Sequence, residues 1–173
     1  GAKTYGDPAF TLAVTGGNGS GVVSFTSSDP SIISINDSTA AIHKAGDVTI
    51  TATKAGDEAF NPATVTMTMT ISVGKKAVVF KARNVSVHQG HAMPDFTYEP
   101  VTLAAGDRVE TEPTAACTVT DTNTLGTFTI TFSGAALTNQ DNYIISYEPG
   151  TMTVTDPTIA VTGVTLNKTS MTL

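Results

Sequence analysis

The sequence predicts an all-β chain of antiparallel sandwiches, and three observations carry that reading. Residues 65–73 run Val-Thr-Met-Thr-Met-Thr-Ile-Ser-Val, with apolar and hydroxyl side chains alternating at a period of two. Successive strand side chains point to opposite faces, so such a run has one oily face and one wet face. The same alternation returns at 48–53, 127–132 and 151–155. Sheets with one buried and one solvated face produce it, and those are antiparallel sheets. Threonine, finally, makes up about a fifth of the chain, well above ordinary usage. Its branched side chain suits a pleated, half-exposed surface.

The elements follow in order. The chain opens on a turn, Tyr5-Gly6-Asp7-Pro8. Strands are expected at 10–15, 22–27, 32–35, 39–43, 48–53 and 65–73. Turn signals separate them: Gly16-Gly17-Asn18-Gly19, Ser28-Asp29-Pro30, Asn36-Asp37, Ala45-Gly46-Asp47 and Gly56-Asp57. After the connection Gly74-Lys75-Lys76, a second series is expected at 77–82, 85–88, 95–98, 108–111, 116–120, 127–133, 143–147 and 151–155. Short strands at this even spacing predict immunoglobulin-like sandwiches. Two in tandem, at 1–75 and 76–156, give an elongated arrangement.

The halves also echo each other. Tyr5-Gly-Asp-Pro-Ala-Phe-Thr-Leu12 parallels His91-Ala-Met-Pro-Asp-Phe-Thr-Tyr98, and each half carries an Ala-Gly-Asp turn, at 45–47 and 105–107. Related modules in series account for this better than one large domain. Residues 157–173 are read as a linker and one or two further strands, at 159–164 and 165–173. A lone strand is unstable in water, so this tail is expected either to be disordered or to add to a free sheet edge. Gly1 reads as a tag remnant, and the chain as a piece of a longer protein.

Composition narrows the partners. Charged residues are 14% of the chain and the net charge is −6, which excludes the basic stripes that nucleic acid requires. It equally excludes a polybasic membrane contact. No apolar run is long enough to insert in a bilayer. With one cysteine, Cys117, no internal disulfide forms. Its alternation with Val119 places it as a small core residue.

Candidate sites are few. His88 and His91 have His-x-x-His spacing, but Gly90 places them in a loop, with no cysteine or acidic cluster to complete a metal site. His43, at a strand end, is expected to be exposed. The aspartates sit mostly in turns, where they bond backbone N–H groups. Asp121-Thr-Asn123 and 139–142 come nearest to a calcium loop without matching one. There is no Gly-x-Ser-x-Gly elbow and no carboxylate pair, and the glycines at 16–21 precede no helix that could hold phosphate. The sequence thus predicts neither an enzyme nor any cofactor or metal. Lys81 alternates with Phe80 and should point outward, against a buried Lys–Asn isopeptide bond. Sugar binding on exposed aromatics is the serious rival. The chain has no Trp, and Phe25, Phe128 and Phe132 fall at inward positions. That leaves Tyr5, Tyr98, Tyr143 and Tyr147, of which Tyr143 and Tyr147, evenly spaced on one strand face, are the ligand contacts to examine. The bland alternative packs both at the core edge.

Several motifs resemble bacterial surface modules. Phe25-Thr-Ser-Ser-Asp-Pro-Ser31 followed by Ala45-Gly-Asp-Val-Thr-Ile-Thr-Ala52 is similar to bacterial Ig-like domains, with the opening strand missing. Residues 76–156 resemble an MBG-type Ig-like repeat through Pro94-Asp-Phe-Thr-Tyr98, Gly106-Asp107, Gly126-Thr-Phe-Thr-Ile-Thr131, Asn142-Tyr-Ile-Ile-Ser-Tyr147 and Gly150-Thr-Met-Thr-Val-Thr155. Val161-Thr-Gly-Val-Thr-Leu-Asn-Lys-Thr-Ser-Met-Thr-Leu173 resembles the first strand of a group-2 bacterial Ig-like domain. The resemblance implies non-catalytic spacer modules of a bacterial cell-surface or secreted protein, outside the cell. Their partners would be neighbouring modules of the same chain. The alternative it leaves open is an adhesive module that contacts a glycan or a host extracellular-matrix protein.

Overall fold

The computed structural model describes residues 2–16, 18–57 and 65–157. The strands expected at 159–164 and 165–173 lie outside the described residues, as does the group-2 resemblance. Among the described residues the regular structure is strand, apart from one 3-10 turn at Gln140–Asn142. The chain is all-β, as its alternation predicts.

The first half contains β1 (Lys3–Thr4), β2 (Phe10–Thr11), β3 (Val23–Ser27), β4 (Ile33–Asn36), β5 (Thr39–Ile42), β6 (Gly46–Lys54) and β7 (Val65–Gly74). One sheet has the order β1-β7-β6-β3 and the other β2-β5-β4. They meet through Leu12, Ile33, Ala40, Val48, Ile50, Ile71 and Val73, all buried, with Phe25 packed against them. The β4–β5 hairpin turns at Asp37, whose φ of 54° is one that an Asp side chain tolerates better than most.

The second half contains β8 (Lys76–Lys81), β9 (Val85–His88), β10 (Val109–Thr111), β11 (Thr114–Cys117), β12 (Gly126–Ser133), β13 (Ala136–Leu137), β14 (Tyr143–Glu148) and β15 (Gly150–Thr155). Its main sheet runs β11-β12-β15-β9, opposed by the pairs β14-β8 and β10-β13. Ile130, Phe132, Met152 and Val154 form one core cluster. Val78, Phe80, Leu137 and Tyr143 form another. Tyr98 and Tyr147 pack against both. Cys117 is free and partly buried, lying against the first of these clusters.

Several expectations need correction. Pairing is not purely antiparallel: β1 with β7, β9 with β15 and β8 with β14 are parallel. Local alternation reports burial, and it is silent about which chain direction lies alongside. The stretch 95–98 contributes only the bridge Tyr98↔Ala82, and 10–15 shortens to two residues. The two-residue strands β1 and β13 are too short to show a period.

The largest departure concerns the 65–73 run itself. Its apolar face is buried only at Ile71 and Val73, while Met69, Met67 and Val65 are exposed, Met67 at 61%. The opposing strands β2, β4 and β5 are two to four residues long, whereas β7 has ten. A face that long is covered for only part of its length.

Candidate functional site at the joint between the halves

Only Lys75 separates β7 from β8, and the joint is reinforced from the far end of the first half. β1 pairs with the last residues of β7, Lys3 with Val73 and Thr4 with Gly74. The Tyr5 N–H then donates to the Gly74 carbonyl (2.9 Å) and the Asp7 N–H to the Thr4 carbonyl (3.0 Å). Asp7 Oδ2 accepts from the Thr4 N–H (2.9 Å) and braces the turn. Gly6, at φ +87°, is the left-handed residue that the turn needs. A Cβ built on it would meet the Ala104 Cβ at 3.0 Å, so the second half presses directly on this turn.

The turn aims the Tyr5 side chain out of its own half. Tyr5 is 8% exposed and belongs to the second half's cluster with Val78, Phe80, Leu137 and Tyr143. Its ring meets Tyr143 edge to face, with centroids 5.5 Å apart, a favoured aromatic geometry. A residue from position 5 thus takes part in a core cluster formed otherwise by residues beyond 75.

One carboxylate gathers the polar ends. Asp107 Oδ2 accepts from the Tyr5 hydroxyl (2.9 Å) and from the Tyr143 hydroxyl (2.6 Å), and Oδ1 accepts from Asn139 Nδ2 (2.7 Å). The Ala104 N–H donates to the Tyr143 oxygen (2.9 Å), so that hydroxyl both gives and receives. Nearby, buried Asn142 uses Oδ1 to accept from the Ala45 N–H of the first half (2.9 Å). No buried side-chain polar atom among the described residues lacks a partner. Satisfied networks of this kind rigidify and specify a single arrangement.

The electrostatics follow from these bonds. Burial pushes the Asp107 carboxyl up, but the hydrogen bonds from Tyr143, Asn139 and Tyr5 outweigh it and hold it below its usual value. Burial, and then the bond to Asp107, push Tyr143 up to about 12 and raise Tyr5 as well. Each of these groups is thereby held in the protonation state that the joint uses at neutral pH.

The other singled-out residues fall elsewhere. Tyr143 is buried with its hydroxyl committed to Asp107, so its ring face is not offered to solvent. Tyr147 stacks on Phe80 at 5.8 Å, and its hydroxyl oxygen accepts from the Ala135 N–H (2.8 Å). His88 and His91 meet edge to face at 5.8 Å, and His43 is exposed beside Ser34. Among the described residues no three His, Cys, Asp or Glu groups gather where they could hold a metal. Lys81 points outward to Glu99 (3.4 Å). Sequence reasoning kept Tyr5 among the tyrosines left for sugar binding and read Asp107 and Asn142 as loop residues, but it did not bring them together at a joint. The one available signal was the repeated Ala-Gly-Asp, which marks the turns at 45–47 and 105–107 that supply Ala45 and Asp107 to the joint.

Comparison with known families places the second half. Residues 78–153, from β8 into β15, match the MBG domain (YGX type). That is less than half the chain, and a Tyr-Gly-X tripeptide, Tyr5-Gly6-Asp7, lies outside it. No curated protein matches the chain.

Proposed function

We propose that the two halves are immunoglobulin-like modules in series, divided near residue 75, and that they serve as a non-catalytic spacer in a bacterial surface or secreted protein. The observation that carries this reading is the joint. A one-residue connection, a tyrosine inserted across the boundary and a carboxylate bonded from both sides resist bending. A spacer must transmit distance, and a braced joint does so where a bare linker would let the modules swing. The MBG match is in keeping with a repeat-type extracellular module. The Thr-rich wet faces keep such a rod hydrated with little charge.

An adhesive role through Tyr143 and Tyr147 has less behind it, because both tyrosines spend their rings and hydroxyls internally. Small-angle scattering from the whole chain tests the spacer reading. An elongated particle of fixed maximum dimension is expected, and a distribution of bent forms or a compact globule would overturn it.

A further inference from the structure

The far end of the second half repeats, residue by residue, the surface with which the first half grips its neighbour. In the first half Lys3, Val73 and Gly46 lie side by side across β1, β7 and β6. In the second half Val87, Val154 and Gly126 lie side by side across β9, β15 and β12. The two glycines share an unusual φ, +150° and +144°.

The turns that follow also match. The Gln89 N–H donates to the Thr155 carbonyl (2.9 Å) as Tyr5 does to Gly74, and the His91 N–H donates to the His88 carbonyl (3.1 Å) as Asp7 does to Thr4. Gly90 at φ +77° takes the place of Gly6 at +87°. Gln89-Gly90-His91 is thus the counterpart of Tyr5-Gly6-Asp7, and Leu125, just before Gly126, is the counterpart of Ala45.

At the joint these positions are covered: Gly6 lies against Ala104, and the Ala45 N–H is bonded to Asn142. At the far end, among the described residues, they are bare. Nothing lies within 4 Å of a Cβ built on Gly90, and Leu125 is 48% exposed, an apolar side chain that its own half does not use. The turn is nevertheless held in shape. Gly90 donates to the Thr122 carbonyl, Thr122 donates to the His91 carbonyl, and Gln89 Nε2 donates to the Asn123 carbonyl (2.6 Å).

We infer that the face formed by Gln89, Gly90, His91 and Leu125 is a docking face for a further immunoglobulin-like module, held end to end. The inference rests on the in-series reading above. Its chemistry names the partner. The face sets the Gln89 carboxamide, whose Nε2 keeps a second N–H beyond its bond to Asn123, and the His91 imidazole beside one apolar side chain. The end it fits therefore carries a carboxylate or carboxamide near a small apolar seat, as the second half does with Asp107, Asn142 and Ala104.

The face can be tried on an end of that kind within the full chain. Tyr5→Gln, Asp7→His and Ala45→Leu together rebuild the far-end face at the existing joint. Rotational correlation times of the two halves, from NMR relaxation, are compared for this variant, for Tyr5→Ala and for the unmodified chain. The inference predicts that the rebuilt chain still tumbles as one body, whereas the Tyr5→Ala halves tumble separately. Independent tumbling of folded halves in the rebuilt chain overturns it, and if only that chain separates, the spacer reading survives. Should the unmodified halves tumble separately, the spacer reading itself fails.

Should the rebuilt chain not fold, residues 76–157 appended after Pro157 supply the partner without touching the first joint. Amide exchange at Gly90 and Leu125 should then slow about tenfold or more and recover with Leu125→Asp. Unchanged exchange there overturns the inference. So does slowing that appears in the unmodified chain and rises with its concentration, which would assign the face to a second copy.

Discussion

Each half is built on a four-stranded sheet of the same design, and the halves differ in how they cover it. β1-β7-β6-β3 and β9-β15-β12-β11 have the same order, the same parallel first pair and the same antiparallel remainder. The second half lays β8, β14, β10, β13 and the rings of Phe80, Tyr98 and Tyr147 over its sheet. The first half lays three short strands over a longer sheet and leaves Val65, Met67 and Met69 bare. An alternating sequence therefore specifies a strand with an apolar face. Whether that face becomes core depends on the length of whatever lies opposite.

The comparison is sharpest where the second half is best covered. Phe80→Ala removes a fully buried ring, and a loss of about 3–5 kcal/mol is expected. Thermal or denaturant unfolding should show the loss in the second half, with the first half melting later than its neighbour or with it. Asp107→Ala comes next. It strands two tyrosine hydroxyls and the Asn139 amide, at a cost of roughly 1–3 kcal/mol, visible as a lower denaturant midpoint.

The same carboxylate gives the joint a pH dependence. Its pKa is lowered on folding, so its contribution is present above the unfolded value near ~3.9. That contribution fades as pH falls through the folded value. Stability measured from pH 6 down to 2 should lose this part in the wild-type chain only below about pH 4, and Asp107→Ala should lack it. At the other extreme Tyr143 is raised to about 12. Its part is lost as pH climbs from about 10, the unfolded tyrosine value, toward 12.

Tyr5→Phe, which keeps the ring and removes one hydroxyl bond to Asp107, should cost about 1 kcal/mol. The smallest effect sharpens the contrast between the halves. Met67→Ala, on the bare part of β7, should change stability by no more than about 0.5 kcal/mol. Met152→Ala, on the equivalent strand β15 but fully buried, should cost about 2–5 kcal/mol. Equal effects at the two methionines would mean that the first half's sheet is covered after all.

The all-β class and most strands were legible because 48–53, 65–73 and 127–133 carry a strict period of two. The inward placing of Phe132 followed from the same pattern, and the outward placing of Lys81 did too. The joint was not legible. Tyr5 reads locally as part of a surface turn, and only the pairing of β1 with β7 aims it across the boundary. Asp107 reads as one of many turn aspartates, and its two tyrosine partners are 102 and 36 residues away. Tyr143 and Tyr147 do share a face of β14. Local spacing could not tell that both hydroxyls would be used inside.

Substituting Tyr5 with Ala and following amide exchange residue by residue tests most directly whether one half completes the other. Exchange should accelerate at Val78, Phe80, Leu137 and Tyr143, all in the second half, while Ile33 and Val48 in the first half's core keep their protection. Acceleration confined to the first half, or none in either, would contradict the account.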